Sequence, residues 1–291
     1  MAPTILSITP VNGATKLTPE SDIIVITFSE PMDKASAQKA FVPSGDAPVP
    51  TFTWNAAATE LSINPNLGYP AATDPTAAAA PFKFSVTTVA KDLAGNRLAA
   101  EVNWQFTLLR EVTQTFPLAR SSWANGKSIY LKYAGVGDVS DNTEVRGFLF
   151  ADISSLPAGI VRFGGAKIST FVYQLYGDPF GSFGNMQIQS VSYSGNNGYA
   201  DQSAFDAASL RDLGTFISAS GHNTVGDPVV KDVLAALKDD YENRSIRNNR
   251  SQYRLIFPSA PNSNSAQDMV WVIGIGSDNN NSALTVTYLY P

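Results

Sequence analysis

Sugar rings stack their apolar faces on exposed aromatic side chains, while amides, carboxylates and guanidinium groups bond the hydroxyls. Three aromatics of this chain sit in polar turns where such a face can stay open. They are Tyr176 and Phe180 in Tyr-Gly-Asp-Pro-Phe-Gly, and Tyr199 in Ser-Gly-Asn-Asn-Gly-Tyr-Ala-Asp. Tyr173 and Trp271 instead alternate with Phe171 and with Met269 and Ile273, the spacing of strand residues that pack inside. Arg244, Arg247, Arg250 and Arg254 form a tetrad whose guanidinium groups can grip carboxylates bidentately, as on a uronic-acid polymer. Arg247 and Arg250 join the three aromatics as the expected ligand-binding set. Asp239, Asp240 and Glu242 lie close by, so a neutralised helix end followed by solvated strand charges explains the same arginines.

Asp138, Asp141 and Asn142 make an oxygen-rich loop of the kind that takes calcium, the one cofactor left open. Polar turn chemistry accounts for the same residues. Glu30, Asp33 and Asp92 offer similar oxygens, but the Asp-x-Asn-x-Asp-Gly calcium loop is absent, and we read them as fold devices. A serine-hydrolase triad would have to use the single histidine, His222, and no Gly-x-Ser-x-Gly elbow accompanies it. We read His222 as a loop residue. With no cysteine there is no thiol nucleophile, disulfide framework or Cys-ligated metal. Neither a Gly-x-x-x-x-Gly-Lys loop nor a dinucleotide fingerprint occurs. Carboxylate-dependent polysaccharide cleavage needs two acids flanking a cleft, and among 25 acidic residues spacing selects no pair.

The elements that must carry these residues are mostly strands. The chain has 291 residues, 44% of them hydrophobic, enough for about two cored domains on a prior of ~150 residues each. Only 15% are charged and the net charge is −5, which disfavours a nucleic-acid partner. No run of about 18 apolar residues spans a membrane. Met1-Ala2-Pro3 leads straight into Thr4–Ile8 without a basic-then-apolar leader, which we read as a start from which any export signal has been removed.

From residue 4 to 109, short alternating runs separated by Gly, Pro and Asn predict a β-sandwich: Ile23–Phe28, Phe52–Trp54 with Leu61–Ile63, Phe82–Val86 and Trp104–Leu108. Asp33–Ala40 is expected as a short helix or turn, and Ala71–Pro81 as an exposed loop. A composition change near Leu109–Pro117 sets the expected boundary, giving domains 4–110 and 111–291. The second domain reads as strands over Ser128–Tyr133, Glu144–Ala151, Ala166–Tyr176, Met186–Tyr193, Ser251–Phe257, Met269–Ile275 and Leu284–Tyr290. One segment has helical spacing, with Asp227 as N-cap, Pro228 at the first position, and Val229, Val230, Val233, Leu234, Leu237 and Tyr241 on one face. The expected fold class is therefore all-β: a β-sandwich, which the resemblance given next makes Ig-like, followed by a jelly-roll sandwich with one short amphipathic helix over 228–241.

Three stretches of the first domain, Thr9-Pro10-Val11-Asn12-Gly13-Ala14, Ile24–Asp33 and Lys91–Leu98, resemble the bacterial Ig-like domains of S-layer and other surface proteins. That resemblance implies a spacer or adhesive module on an exported polypeptide. In the second domain Glu144–Phe150 with Ser154–Pro157, then Gly177–Phe180, Ala204–Asp206 and Ser251–Phe257 look like the DNRLRE-type modules related to carbohydrate-binding jelly rolls. The six-letter signature that names that family is missing. Together the resemblances imply a non-catalytic protein, extracellular or on the bacterial cell surface, whose partner is a polysaccharide or a cell-surface protein. Self-association into a surface layer or fibre is the structural alternative, and a carboxylate-dependent polysaccharide enzyme the third.

Overall fold

The computed structural model describes residues 1–291 apart from 21–22, 130–132, 196–198, 222 and 274–281. The chain is mostly β. It divides into two compact units: residues 1–112 with 160–162 and 289–291, and residues 113–159 with 163–288. His222, part of the expected strand Ser128–Tyr133, and the end of the expected strand Met269–Ile275 lie outside the described residues.

The first unit contains β1 (Ile5–Thr9), β2 (Ala14–Leu17), β3 (Ile24–Phe28), α1 (Lys34–Ala40), β4 (Phe41–Pro43), β5 (Thr51–Trp54), β6 (Glu60–Asn64), β7 (Ala71–Ala72), β8 (Phe82–Val86) and β9 (Val102–Leu108). Two four-stranded sheets form, in the orders β1-β3-β6-β5 and β2-β9-β8-β4. Alternation decides what each strand buries. In β3, Ile24, Ile26 and Phe28 point inward; Leu61 and Ile63 of β6 stand opposite Ile26 and Ile24. They meet Phe84, Val86, Phe106 and Leu108 of the facing sheet in one core. Asp33 caps α1, its Oδ1 accepting from the Ser36 N–H at 2.8 Å.

The segment 71–81, expected as bare loop, contains a short strand. Ala71 and Ala72 pair in parallel with Glu111 and Val112, the first residues of β10 (Arg110–Pro117). The buried Arg110 guanidinium donates to the carbonyl oxygens of Ala77, Pro75 and Pro291, tying the segment down.

The second unit continues with β11 (Ala119–Ala124), β12 (Lys127–Ile129), β13 (Ala134–Asp138), β14 (Glu144–Asp152), β15 (Arg162–Tyr176), α2 (Pro179–Phe183), β16 (Met186–Ser190), α3 (Gln202–Asp206), β17 (Arg211–Ile217), β18 (Pro228–Asp232), α4 (Leu234–Glu242), β19 (Arg250–Ile256), β20 (Asp268–Ile273) and β21 (Ala283–Tyr290). Hydrogen-bonded neighbours run β17-β16-β19-β14-β13-β20-β15-β21-β10, with β11 on β14 and β18 on β15.

Here the structure corrects the expected helix over 228–241. Its first third is strand: Pro228–Asp232 pairs antiparallel with Phe171–Lys167. The helix begins only at Leu234. Val229 and Val230 are β-branched and stiff in a helix, and the open edge of β15 gives their backbone a ladder instead. Asp227, expected as the N-cap, closes a turn by accepting from the N–H and hydroxyl of Thr224. α1 forms within the segment Asp33–Ala40 expected as a short helix or turn, and α2 and α3 are two short helices that the sequence did not mark.

Candidate functional site

Of the five expected ligand residues, the structure brings two together. Tyr199 is 39% exposed, and its ring meets Phe150 of β14 in a T-shaped contact with centroids 6.1 Å apart at 90°. The Arg250 guanidinium lies 5.7 Å from the centre of the same Phe150 ring, and its Nη1 donates to the Ser194 carbonyl at 3.4 Å. The result is a partly exposed phenol and a cation that meet against a buried phenyl ring, Phe150 being 8% exposed. Phe150 was missed by sequence reasoning because residues 147–151 of β14 are all buried, leaving no alternation to mark which face the ring takes.

Described residues on either side of Tyr199 bond to neighbouring strands. Gln252 clasps Tyr193 through two bonds, its Oε1 accepting from the backbone N–H at 3.2 Å and its Nε2 donating to the carbonyl at 3.1 Å. The Ala200 N–H donates to Ser121 Oγ at 2.9 Å. Asp201 caps α3, and Gln202 Oε1 accepts from Trp123 Nε1 at 3.0 Å and from the Gly126 N–H at 2.8 Å. Two arginines then converge on the Phe205 carbonyl: Arg146 Nη1 at 2.6 Å and Arg254 Nη1 at 3.0 Å. Arg254 also donates to Ala207 O at 2.7 Å and grips Gln189 Oε1 through Nε and Nη2. At 6% exposure, Arg254 is an internal latch and not part of a solvated tetrad.

The other expected residues lie elsewhere. Phe180 is 8% exposed inside α2 and packs edge-on against Phe257 at 5.6 Å, so it is a core ring; Pro179 at the helix start turns it inward. Tyr176 ends a stack of four rings. Tyr133 lies between Tyr173 (4.8 Å, 8°) and Trp271 (5.0 Å, 14°), and Tyr176 leans on Trp271 (5.0 Å, 59°). Tyr173, Tyr133 and Trp271, stacked face to face, occupy one another's faces. Room for the stack comes from Gly135, where a Cβ would fall 2.9 Å from Met269 Cε and 3.3 Å from Trp271 Cδ1.

Arg247 is spent internally. Its Nη1 donates to Asp239 Oδ2 at 2.7 Å and Asp240 Oδ1 at 2.6 Å. Asp240 also accepts from Ser251 Oγ at 2.7 Å, and Ser251 in turn meets the Tyr253 hydroxyl at 2.7 Å. Burial pushes the Asp240 carboxyl up to about 6, against the pull of Ser251 and Arg247. Arg244 stacks on Tyr241, 4.0 Å from its centroid.

The expected calcium residues do not turn their oxygens to one point. Asp138 is fully buried, and its carboxylate accepts from the N–H groups of Asn262 (3.2 Å) and Asp268 (3.3 Å). Asp141 closes a turn on the Thr143 N–H, and Asn142 accepts from the Ser265 N–H at 2.9 Å. Among the described residues, no group of three or more His, Asp or Glu side chains could hold a metal. Asp268 is crowded by burial, but bonds from the Asp178 N–H, Ser182, Asn264 and Asn262 outweigh it and hold its carboxyl below the usual range. Asp92 accepts from Asn96 twice, at 2.8 and 2.7 Å, which fixes the Lys91–Leu98 turn.

Comparison with known proteins bears on the first unit. Residues 1–108 match the family described as "Bacterial Ig-like domain". No curated protein matches the chain. Among solved structures, domains 1–6 of the surface layer protein SbsC align at 11% identity and a TM-score of 0.25, covering 60% of this chain. This chain spans 29% of that protein's length. An L,D-transpeptidase from Mycobacterium smegmatis aligns at 13% identity and a TM-score of 0.26, covering 83% of this chain and 94% of its own. Native alpha-2-macroglobulin from Escherichia coli, domains MG0-NIE-MG1, aligns at 10% identity and a TM-score of 0.27, covering 99% and 71%. Alignments this loose transfer no function. Among the described residues, no helix is long and apolar enough to cross a membrane. What the comparisons establish is an Ig-like sandwich of the bacterial type over residues 1–108, at the head of an otherwise β chain.

Proposed function

We propose that this chain is a non-catalytic bacterial surface protein in which the Ig-like unit acts as spacer for a jelly-roll unit of the carbohydrate-binding kind, and that the second unit binds a glycan at Tyr199 and Arg250. The carrying observation is the juxtaposition of Tyr199 and Arg250 over Phe150. Support also comes from the segment that presents Tyr199, tied down at Tyr193, Ala200, Gln202 and Phe205. A site held in place before the ligand arrives loses less conformational entropy on binding. An aromatic face takes the CH face of a pyranose, and the guanidinium bonds its hydroxyls or carboxylate.

A glycan array probed with the full chain tests this reading. Tyr199→Ala and Arg250→Ala are each expected to weaken any hit at least ten-fold while leaving thermal unfolding within about 2 °C. Loss of binding only in variants that also unfold would refute the site. A blank array, together with concentration-dependent assembly in light scattering, would favour the purely structural role in a layer or fibre.

A further inference from the structure

The first unit carries a concave surface on the outward face of the β2-β9-β8-β4 sheet. It is an open groove of about 520 Å3, inside the range of roughly 300–1,000 Å3 for small-ligand sites. Alternation builds it. Phe84 and Val86 fill the core, so Lys83 and Ser85 of β8 face outward, where the register sets them beside Gln105 and Asn103 of β9. Val42 of β4 stands opposite Ser85, and Ser44 follows it, with its hydroxyl donating to the Lys83 carbonyl at 3.0 Å. Asn12 closes the far side. Its Oδ1 accepts from the Gln105 N–H at 3.0 Å, which fixes the side chain and leaves its amide nitrogen free to donate. The Trp104 indole bonds Pro10 O at 2.7 Å, and its ring packs against the core on the other face of β9.

Charge is what distinguishes this face. No carboxylate lines the groove, and among the described residues Lys83 makes no ion pair. An unopposed ammonium amid amides and hydroxyls, in a chain of net charge −5, calls for an anion that also offers many hydroxyls. Val42, 47% exposed, supplies apolar contact for a sugar's CH groups. An extended acidic peptide would instead pair with a sheet edge through its backbone. We propose that this groove is a second binding site, for a short stretch of an acidic saccharide, with Lys83 on the sugar carboxylate and Asn12, Asn103 and Gln105 on its hydroxyls. It is independent of the Tyr199 site.

The test uses the full chain carrying Tyr199→Ala, so that the second unit is silent. Trigalacturonate and the neutral maltotriose are titrated while NMR follows the side-chain amides of Asn12, Asn103 and Gln105. Trigalacturonate should shift these signals saturably and bind at least ten-fold more tightly than maltotriose. Salt at 0.5 M should weaken it several-fold, because the contact is solvent-facing. Lys83→Gln should cost at least ten-fold and abolish the salt dependence, whereas Gln105→Ala should weaken binding and keep it. Equal affinity for the two sugars, no shift at these amides, or unchanged binding by Lys83→Gln would overturn the proposal. An acidic peptide that shifts the same amides more tightly than trigalacturonate would also overturn it. Unchanged backbone spectra of the variants exclude misfolding as the cause.

Discussion

Asp240 shows how far a side chain's neighbours outweigh its type. It lies wholly inside, bonded by Arg247 and Ser251, and its carboxyl is raised from 3.8 to about 6 chiefly by burial. A raised folded-state value means that the protonated form is favoured by folding. The stabilisation is full below the unfolded value near 3.8 and is lost as pH rises through about 6. A shift of this size corresponds to about 3 kcal/mol. Urea midpoints should therefore fall between pH 5 and 7 in the native sequence, and this fall should be absent in Asp240→Asn. Asp33, Asp92 and Asp268 are held low and act in the opposite sense, losing their contribution as pH drops below the ordinary carboxylate range. At this scale the sequence was partly legible. Asp239 and Asp240 stand eight and seven residues before Arg247, and the pairing follows from that nearness. The burial of Arg254 and Phe180 did not show, because a polar turn and a strand arginine look alike whether they face water or Phe205 O and Phe257. Only non-local packing separates the two cases.

Among elements, the β13, β14 and β20 trio depends on missing side chains. Gly137 has φ +136°, and a Cβ there would fall 2.0 Å from the backbone oxygen of Asp268; one on Gly147 would meet Val136 Cγ2 at 2.8 Å. Gly137→Ala is expected to cost at least 3 kcal/mol in chemical denaturation, since neither the backbone conformation nor the contact can relax cheaply. Asp33→Ala, which removes only the cap of α1, should cost about 1 kcal/mol in the same assay. Most strands were visible beforehand as alternating runs, Ile24–Phe28 and Phe82–Val86 above all, because one face of each is wet and the other dry. The split of 228–242 into β18 and α4 was hidden. Apolar residues at Val229, Val230 and Val233 satisfy a helical template and a strand template alike, and the free edge of β15 that decides between them lies sixty residues away in sequence.

The molecule as a whole has a surface low in charge, with a net −5 at pH 7 from 25 acidic and 20 basic residues. Acidification to about pH 5 protonates enough carboxylates to bring the net charge near zero, where mutual repulsion between copies is least. Light scattering should rise reversibly as the protein is taken from pH 7.5 to 5. Because Asp240 favours the folded state at that pH, the scattering should come from folded particles, with near-UV circular dichroism unchanged. At this scale length and the composition change near Leu109–Pro117 predict two units. The small segments 160–162 and 289–291, which group with the first unit, carry no signal in the linear chain. Arg110 bears on how the protein resists proteolysis. A segment of alanine, threonine and proline such as 73–80 is ordinarily what a protease opens first, but here a guanidinium under cover clamps its carbonyls. Digestion by elastase should spare this segment in the native protein and cut it in Arg110→Ala, so that a single cation would set the lifetime of the chain in the presence of proteases.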